Sequence, residues 1–241
     1  MPSKTINIID CGTKDYQSVL AMQEKAVNDQ QNGAGGDTVF IVEHPSVITL
    51  GARSSANKLL KDRTAIEHAG IEVVEIRRGG GTTAHNPGQL VIYPIINLKK
   101  RSLGVSDFIH LLEKIGIELL SELGVKCETI KTLPGLWCGE KKIASIGVQV
   151  KKWITFHGIA ININNDLSIF DLIVPCGLDN VIMTSVEKEL GKKIKSATES
   201  TEDTEKINKN SCAINMNNAK DILKKILLEK FNCQEILDSC R

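Results

Sequence analysis

The chain has 241 residues, 41% of them hydrophobic, with 30 basic and 29 acidic side chains and a net charge of +1. That length suits one large domain or two small ones, and near-neutrality argues against bulk attraction to nucleic acid or to an anionic membrane. No apolar run approaches the roughly 20 residues that span a bilayer, residues 1–10 lack the features of a signal or transit peptide, and seven cysteines without a C-x-x-C pair point to free thiols in a reducing cytoplasm.

Residues 5–10 alternate weakly and read as a strand. Residues 14–31 carry Tyr16, Val19, Leu20 and Ala26 on a helical period, and the Gly-rich stretch 32–37 ends that helix. Residues 38–43 form a strand stopped by His44-Pro45, and 47–50 form another. Residues 62–69 read as a short helix with Gly70 past its end. Two further strand-like segments, 71–76 and 90–96, flank a polar, glycine-rich stretch.

A third helix is clearer. Ser106 is its expected N-cap, Phe108, Ile109, Leu111, Leu112, Ile115, Leu119 and Leu120 follow the helical period, and Gly124 stands where a C′ glycine belongs. Segments 128–131, 135–138, 143–150 and 154–163 then read as an antiparallel meander. Thr184 with Glu187 suggests a capping box for a helix through Leu190. Residues from about 196 to 218 are polar and low in complexity, and a mobile insertion without its own core is expected there. Residues 221–231 return to helix, with Ile222, Leu223, Ile226 and Leu227 on one face.

The chain is organised around Arg78-Gly79-Gly80-Gly81-Thr82-Thr83-Ala84-His85, followed by Asn86-Pro87-Gly88-Gln89. Three glycines let a backbone turn sharply and approach a ligand, Arg78 supplies a cation, and Thr82, Thr83 and His85 supply hydrogen-bonding groups. The stretch is either a binding loop or an awkward hairpin. It fits neither G-x-x-x-x-G-K-[ST] nor G-x-G-x-x-G, and the five histidines show no metal-ligand spacing.

Three other residues are candidates for chemistry. Alternation places Lys142 on an apolar face with Ala144, Ile146, Val148 and Val150, where desolvation would suit a lysine to chemistry near neutrality. Pattern alone favours the blander reading, a strand-end lysine that snorkels to water. Cys176 lies between Pro175 and Gly177, which allow close approach to a thiol. Most free cysteines, however, are small buried hydrophobes. His157 is a base, a ligand-orienting group or a satisfied structural histidine.

Taken in order, these stretches resemble the lipoyl(octanoyl) transferases, also called octanoyl-[acyl-carrier-protein]–protein octanoyltransferases. That family's hallmarks are R-G-G-x-x-T-x-H-x-P-G-Q, G-x-K-I-A-x-I-G, H-G-x-A-x-N and F-x-x-I-x-P-C-G. Here they stand at residues 78–89, 139–147 (with one extra residue before Lys142), 157–162 and 170–177, and the resemblance covers roughly residues 5–190. It implies one α/β (α+β) domain spanning residues 1–241, with mixed and antiparallel sheets, flanking helices and the fold of lipoate and biotin protein ligases. It also implies octanoyl transfer from acyl carrier protein to a lysine of lipoyl domains. The implied acceptors are acyltransferase subunits of 2-oxoacid dehydrogenases and the glycine-cleavage H protein. No cofactor, metal, nucleic acid or membrane is implied.

By the same resemblance Cys176 is the nucleophile of an acyl-thioester intermediate, and Lys142 lowers its pKa and passes protons. Arg78, Gly79, Gly80, Gly81, Thr82, Thr83, Ala84 and His85 form a substrate-binding loop. Ser145, Ile146 and Gly147, with Gly158, Ile159 and Ala160, line the acyl tunnel. Small residues at Gly147, Gly158 and Ala160 are expected to leave room for a straight alkyl chain. Ala84 replaces a usual aromatic, which is expected to widen the acyl site, and Asn86 replaces a usual glycine. Three other readings stand beside this one: an ATP-dependent lipoate ligase of the same fold, a non-catalytic module that binds lipoyl domains or acyl groups, and a papain-like pair of Cys176 and His157.

Overall fold

The computed structural model describes residues 6–131, 133–177, 181–191 and 215–232. A mixed sheet forms the platform. Its strands are β1 (Asn7–Thr13), β2 (Thr38–Glu43), β6 (Gln89–Ile95), β10 (Ile154–Asn162), β9 (Lys141–Lys151), β8 (Leu133–Cys138) and β7 (Glu128–Ile130), in that spatial order. Every residue of β6 and of β10 is buried, because both faces of the platform's centre are covered, and this explains the apolar runs 90–95 of β6 and 158–161 of β10. β1 and β2 are parallel, whereas β2, β6, β10, β9, β8 and β7 run antiparallel in sequence. The expected meander is therefore present. The two-residue β11 (Ile182–Met183) joins the start of β9 in parallel, beyond the end of the β9–β10 ladder at Ala144.

A smaller sheet has the order β4 (Glu72–Glu75), β3 (Val47–Leu50), β5 (Thr83–His85). Strand β5 lies inside the glycine-rich stretch, which therefore is not loop throughout. Thr83 to His85 take strand geometry because β3 offers an antiparallel edge, pairing Val47 with His85 and Thr49 with Thr83.

Helix α1 (Tyr16–Gln31) begins at Asp15, whose carboxylate accepts from the Ser18 N–H at 2.8 Å. It packs with the small sheet on one face of the platform. Helix α2 (Arg63–His68) covers β4. On the other face lie α3 (Val105–Glu122) and α5 (Met216–Asn232), with Phe108, Leu112, Ile115, Leu119, Leu223, Leu227 and Phe231 buried against Leu90, Ile92, Ile159 and Ile161. Gly124, at φ +80, ends α3 as expected.

Three local expectations are corrected. Ser106 lies within the first turn of α3, and Gly104 caps it, because the Asp107 carboxylate reaches back to the Gly104 N–H at 2.8 Å. Residues 186–191, here α4, are capped by Ser185, whose Oγ accepts from the Lys188 N–H at 3.2 Å; the Thr184 hydroxyl is engaged by Glu189 at 2.6 Å, and the Glu187 N–H donates to Ile163 O. Residues 216–218, placed in the polar insertion, are the first turn of α5, while residues 196–214 of that insertion lie outside the described residues.

Candidate active site

Between the two sheets, over the centre of the platform, lies a cavity of about 430 Å³, counting the part open to solvent. Its floor is Val91 and Tyr93 of β6, Gly158, Ile159 and Ala160 of β10, and Ser145, Ile146 and Gly147 of β9. Its roof is Arg78, Gly79, Gly80, Thr83 and His85, and Tyr16 of α1 closes one side.

The roof is fastened at three points. The Arg78 guanidinium, 6% exposed, donates through Nη2 to Thr49 O and Thr49 Oγ1, both at 2.8 Å, and through Nη1 to Gly79 O at 3.1 Å. The Gly79 N–H donates to Val148 O of β9 at 2.9 Å, and the Ala52 and Arg53 N–H groups donate to Arg78 O and Gly80 O. Gly81 then packs so closely on Ala56, in the 3₁₀ turn Ser54–Ala56, that a Cβ there would overlap Ala56 O.

The small residues of the floor serve backbone approach as well as space. A Cβ on Gly158 would overlap Ile92 O of β6, and one on Gly147 would stand 3.0 Å from both Arg78 Cδ and Gly79 O. Both glycines are therefore fixed by neighbouring chain, and only Ala160 leaves room in the sense expected.

The polar groups of the cavity are unusually constrained. The His85 Nδ1–H donates to Gln89 Oε1 at 2.7 Å, and Gln89 Nε2 donates to Asn162 Oδ1 at 2.8 Å and to Ala84 O at 3.3 Å. Asn162 Nδ2 continues to Thr184 O at 2.9 Å. His44, just outside the cavity, donates from Nδ1 to Lys14 O at 2.7 Å, so its Nε2 accepts from the Tyr93 hydroxyl at 3.0 Å. The rings of Tyr16, His44 and His85 lie within 5.3–6.0 Å of one another.

Burial holds all three histidines neutral. It lowers His44 to about 4 and, with the His44 ring and Arg78 nearby, His85 to about 3. His157 is also lowered to about 3, by burial first and by Arg78 second. The Tyr16 and Tyr93 hydroxyls are raised by burial. Ser145 Oγ and His157 Nδ1 are buried without a hydrogen-bond partner, which is hydrogen-bonding capacity held open beside the cavity.

Lys142 is 1% exposed, at the head of β9 and three residues before Ser145. It does not snorkel. Its Nζ stands 5.3 Å from the centroid of the Trp137 ring, and a Cβ on Gly135 would come within 2.7 Å of its Cε. The expected alternation fails here. The β8–β9 ladder is irregular between Leu136 and Trp137, and Ile143 and Ala144 both enter the helix-facing core.

The backbone of Cys176 lies in the 3₁₀ turn Pro175–Gly177. That turn is tied by Val174 N–H to Lys58 O at 3.1 Å and by Gly177 N–H to Val174 O at 3.2 Å. Gly177, at φ +70, is packed on Ala56, where a Cβ would stand 2.6 Å from Ala56 Cβ. Ala56 thus separates Gly81 from the residue beside Cys176.

Of the residues singled out in sequence, Gly81, Thr82, Ala84 and Lys142 do not line the cavity. Thr82 Oγ1 accepts from the Lys58 N–H at 3.0 Å, and Ala84 is fully buried in a separate core cluster with Ile48, Phe170 and Ile173. Strand alternation in β5 turns Ala84 away from Thr83 and His85, so its small size does not widen this cavity. Tyr16, His44, Val91 and Tyr93 carried no sequence signal of their own. His44 read only as the stop of β2, and Tyr93 sits mid-strand.

A model of the lipoyl protein ligase A/B catalytic domain matches residues 15–204. An octanoyltransferase of Desulfovibrio desulfuricans is 39% identical over 180 residues, covering 75% of this chain and 76% of the relative. One of Solibacter usitatus is 42% identical over 167 residues, covering 69% and 76%. Among solved structures, lipoate-protein ligase A bound with ATP superposes with a TM-score of 0.60 at 16% identity, over 97% of each chain, a likeness of fold. The chain belongs to the lipoyl(octanoyl) transferase family, on the lipoyl protein ligase A/B catalytic fold, and is a transferase.

Proposed function

We propose that this transferase takes an octanoyl group from the thioester of acyl carrier protein and delivers it to a lysine of a lipoyl domain, by way of a thioester on Cys176. The acceptors are those of the family, the acyltransferase subunits of 2-oxoacid dehydrogenases and the glycine-cleavage H protein, and no cofactor takes part. The observation that carries the reading is the buried Lys142 at the head of the strand whose next residues floor the cavity. An ammonium group in that setting favours a thiolate over a thiol.

In the first step the Cys176 sulfur adds to the thioester carbonyl, the carbon–sulfur bond to the carrier breaks, and the carrier leaves as its thiol. In the second, the acceptor amine adds to the acyl-cysteine, the carbon–nitrogen bond forms, and the Cys176 sulfur departs. The amine's proton passes by way of Lys142 to the sulfur or to solvent. Exchange between thioesters splits one transfer into two easier ones. The hydrophobic floor of Val91, Tyr93 and Ala160 holds the alkyl chain, and Arg78 to His85 enclose it.

Fold likeness to a lipoate-protein ligase bound with ATP favours a second reading, an ATP-dependent ligase. Intact-protein mass spectrometry separates the two. Incubation with octanoyl-acyl carrier protein, without ATP or acceptor, should add one octanoyl group at Cys176, discharged by a lipoyl domain. Transfer that requires free octanoate and ATP, with no adduct, would establish the ligase.

A further inference from the structure

His157 borders two spaces. One is the cavity described above, and the other is an open groove of about 1010 Å³ lined by Leu20, Glu24, Ile76, Gln149 and Phe156. The residue is 3% exposed, its Nδ1 has no partner, and its backbone is left-handed at φ +58, a conformation that costs an ordinary side chain energy. Its N–H is held by Gln23 Oε1 of α1 at 2.9 Å, which pins the ring between the spaces.

His157 pairs with Val148, three residues along β9 from Ser145, roughly 10 Å at strand rise. An alkyl chain whose carbonyl end lies at the level of Ser145 passes Ala160, Gly147 and Gly158 before it reaches this ring. At the same level the Gly79 N–H bonds Val148 O, so the roof comes down there too.

We propose that His157 is the end wall of the acyl site, a specificity-determining residue that limits chain length by closing the cavity off from the outer groove. The proposal rests on the acyl-transfer reading. Removing the ring joins the two spaces and lets longer chains extend over Phe156 toward Leu20.

The test compares the unsubstituted protein with His157→Gly and His157→Asn, both of which accept left-handed backbone. Octanoyl-, dodecanoyl- and tetradecanoyl-acyl carrier protein are supplied, and adducts are read by mass. The dodecanoyl-to-octanoyl ratio should rise about tenfold or more in the variants, from burial of the added methylenes. Unchanged ratios in folded variants would overturn the proposal.

A second measurement does not need the variants or the covalent step. Titrated with free fatty acids from C8 to C14, the unsubstituted protein should bind more tightly up to the length that meets His157 and then more weakly. Affinity that climbs through C14 would overturn the end wall. Absence of any adduct with this binding profile intact would instead overturn the thioester reading alone.

Discussion

The His85 Nδ1–H donates to Gln89 Oε1 across 2.7 Å, and Gln89 cannot turn over, because its Nε2 is committed to Asn162 Oδ1 and Ala84 O. The tautomer of His85 is therefore set from the Pro87-Gly88-Gln89 turn, and its Nε2 is an acceptor on the cavity side. His44, also neutral, accepts from Tyr93. The site is built from uncharged imidazoles, and this makes it sensitive to acid.

His44, His85 and His157 are held at about 4, 3 and 3, against an ordinary value of 6.5. Below pH 6.5 the unfolded chain takes up protons that the folded rings refuse. The stability they allow is therefore complete above pH 6.5 and is lost as pH falls toward about 4. Each contributes a slope of about 1.4 kcal/mol per pH unit in that window. Urea unfolding at pH 7.5, 6 and 5 should show this slope, and His44→Gln should reduce it by about one proton. A slope unaffected by that substitution would contradict the assignment.

Gly158→Ala should destabilise by about 3 kcal/mol, because the added methyl meets backbone at Ile92 O, which cannot step aside without breaking the β6–β10 ladder. Gly147→Ala would place a methyl 3.0 Å from Arg78 Cδ and Gly79 O, a tight contact rather than an overlap, and should cost less stability. It should instead lower activity, by lifting the roof off β9. Thermal melts of both variants, with turnover measured alongside, distinguish the two outcomes.

Ala56 stands between Gly81 and Gly177 with no slack on either side. Ala56→Val should push the Cys176 turn away from the glycine stretch, lowering kcat about tenfold or more while KM for the donor changes little. Ala56→Gly leaves both approaches intact and should retain near-normal kcat. Equal losses in both variants would show that the spacing does not matter.

Lys142→Met retains the apolar stem that packs beside Trp137 and removes the charge. Alkylation of Cys176 by iodoacetamide at neutral pH should slow by roughly tenfold as the thiol loses its cationic neighbour. An unchanged alkylation profile from pH 6 to 9 would remove Lys142 from that role. Cys176→Ala should abolish transfer with the fold intact, and near-normal turnover in it would sink the covalent step.

Much of the platform was legible from the chain. The apolar run of β6, the strand-like segment of β10, the helical period of α3 and its C′ glycine are consequences of local sequence pattern, and local pattern survives folding. The meander from β7 to β10 was readable because its turns are short and its partners consecutive. Strand β5 was not, because three residues become a strand only when a partner edge, here β3, is supplied from about 36 residues earlier, Ile48 opposite Ala84. The caps at Gly104 and Ser185 were missed by two residues and by one, since several polar residues compete for each helix start and side-chain geometry chooses among them.

The site divides in the same way. By its motifs alone the chain determined its family and singled out the glycine-rich stretch, Lys142 and Cys176, because those residue types recur at those spacings. Tertiary structure alone decided that Lys142 is buried rather than snorkelling, since Gly135 and Trp137 of β8 pack against its side chain. It also turned Ala84 away from the cavity, made Gly147 and Gly158 necessary for backbone approach, and drew Tyr16, His44, Tyr93 and His157 together from four separate elements. Burial and contact are set by what lies across the sheet, and the linear order of residues carries no local signal of that.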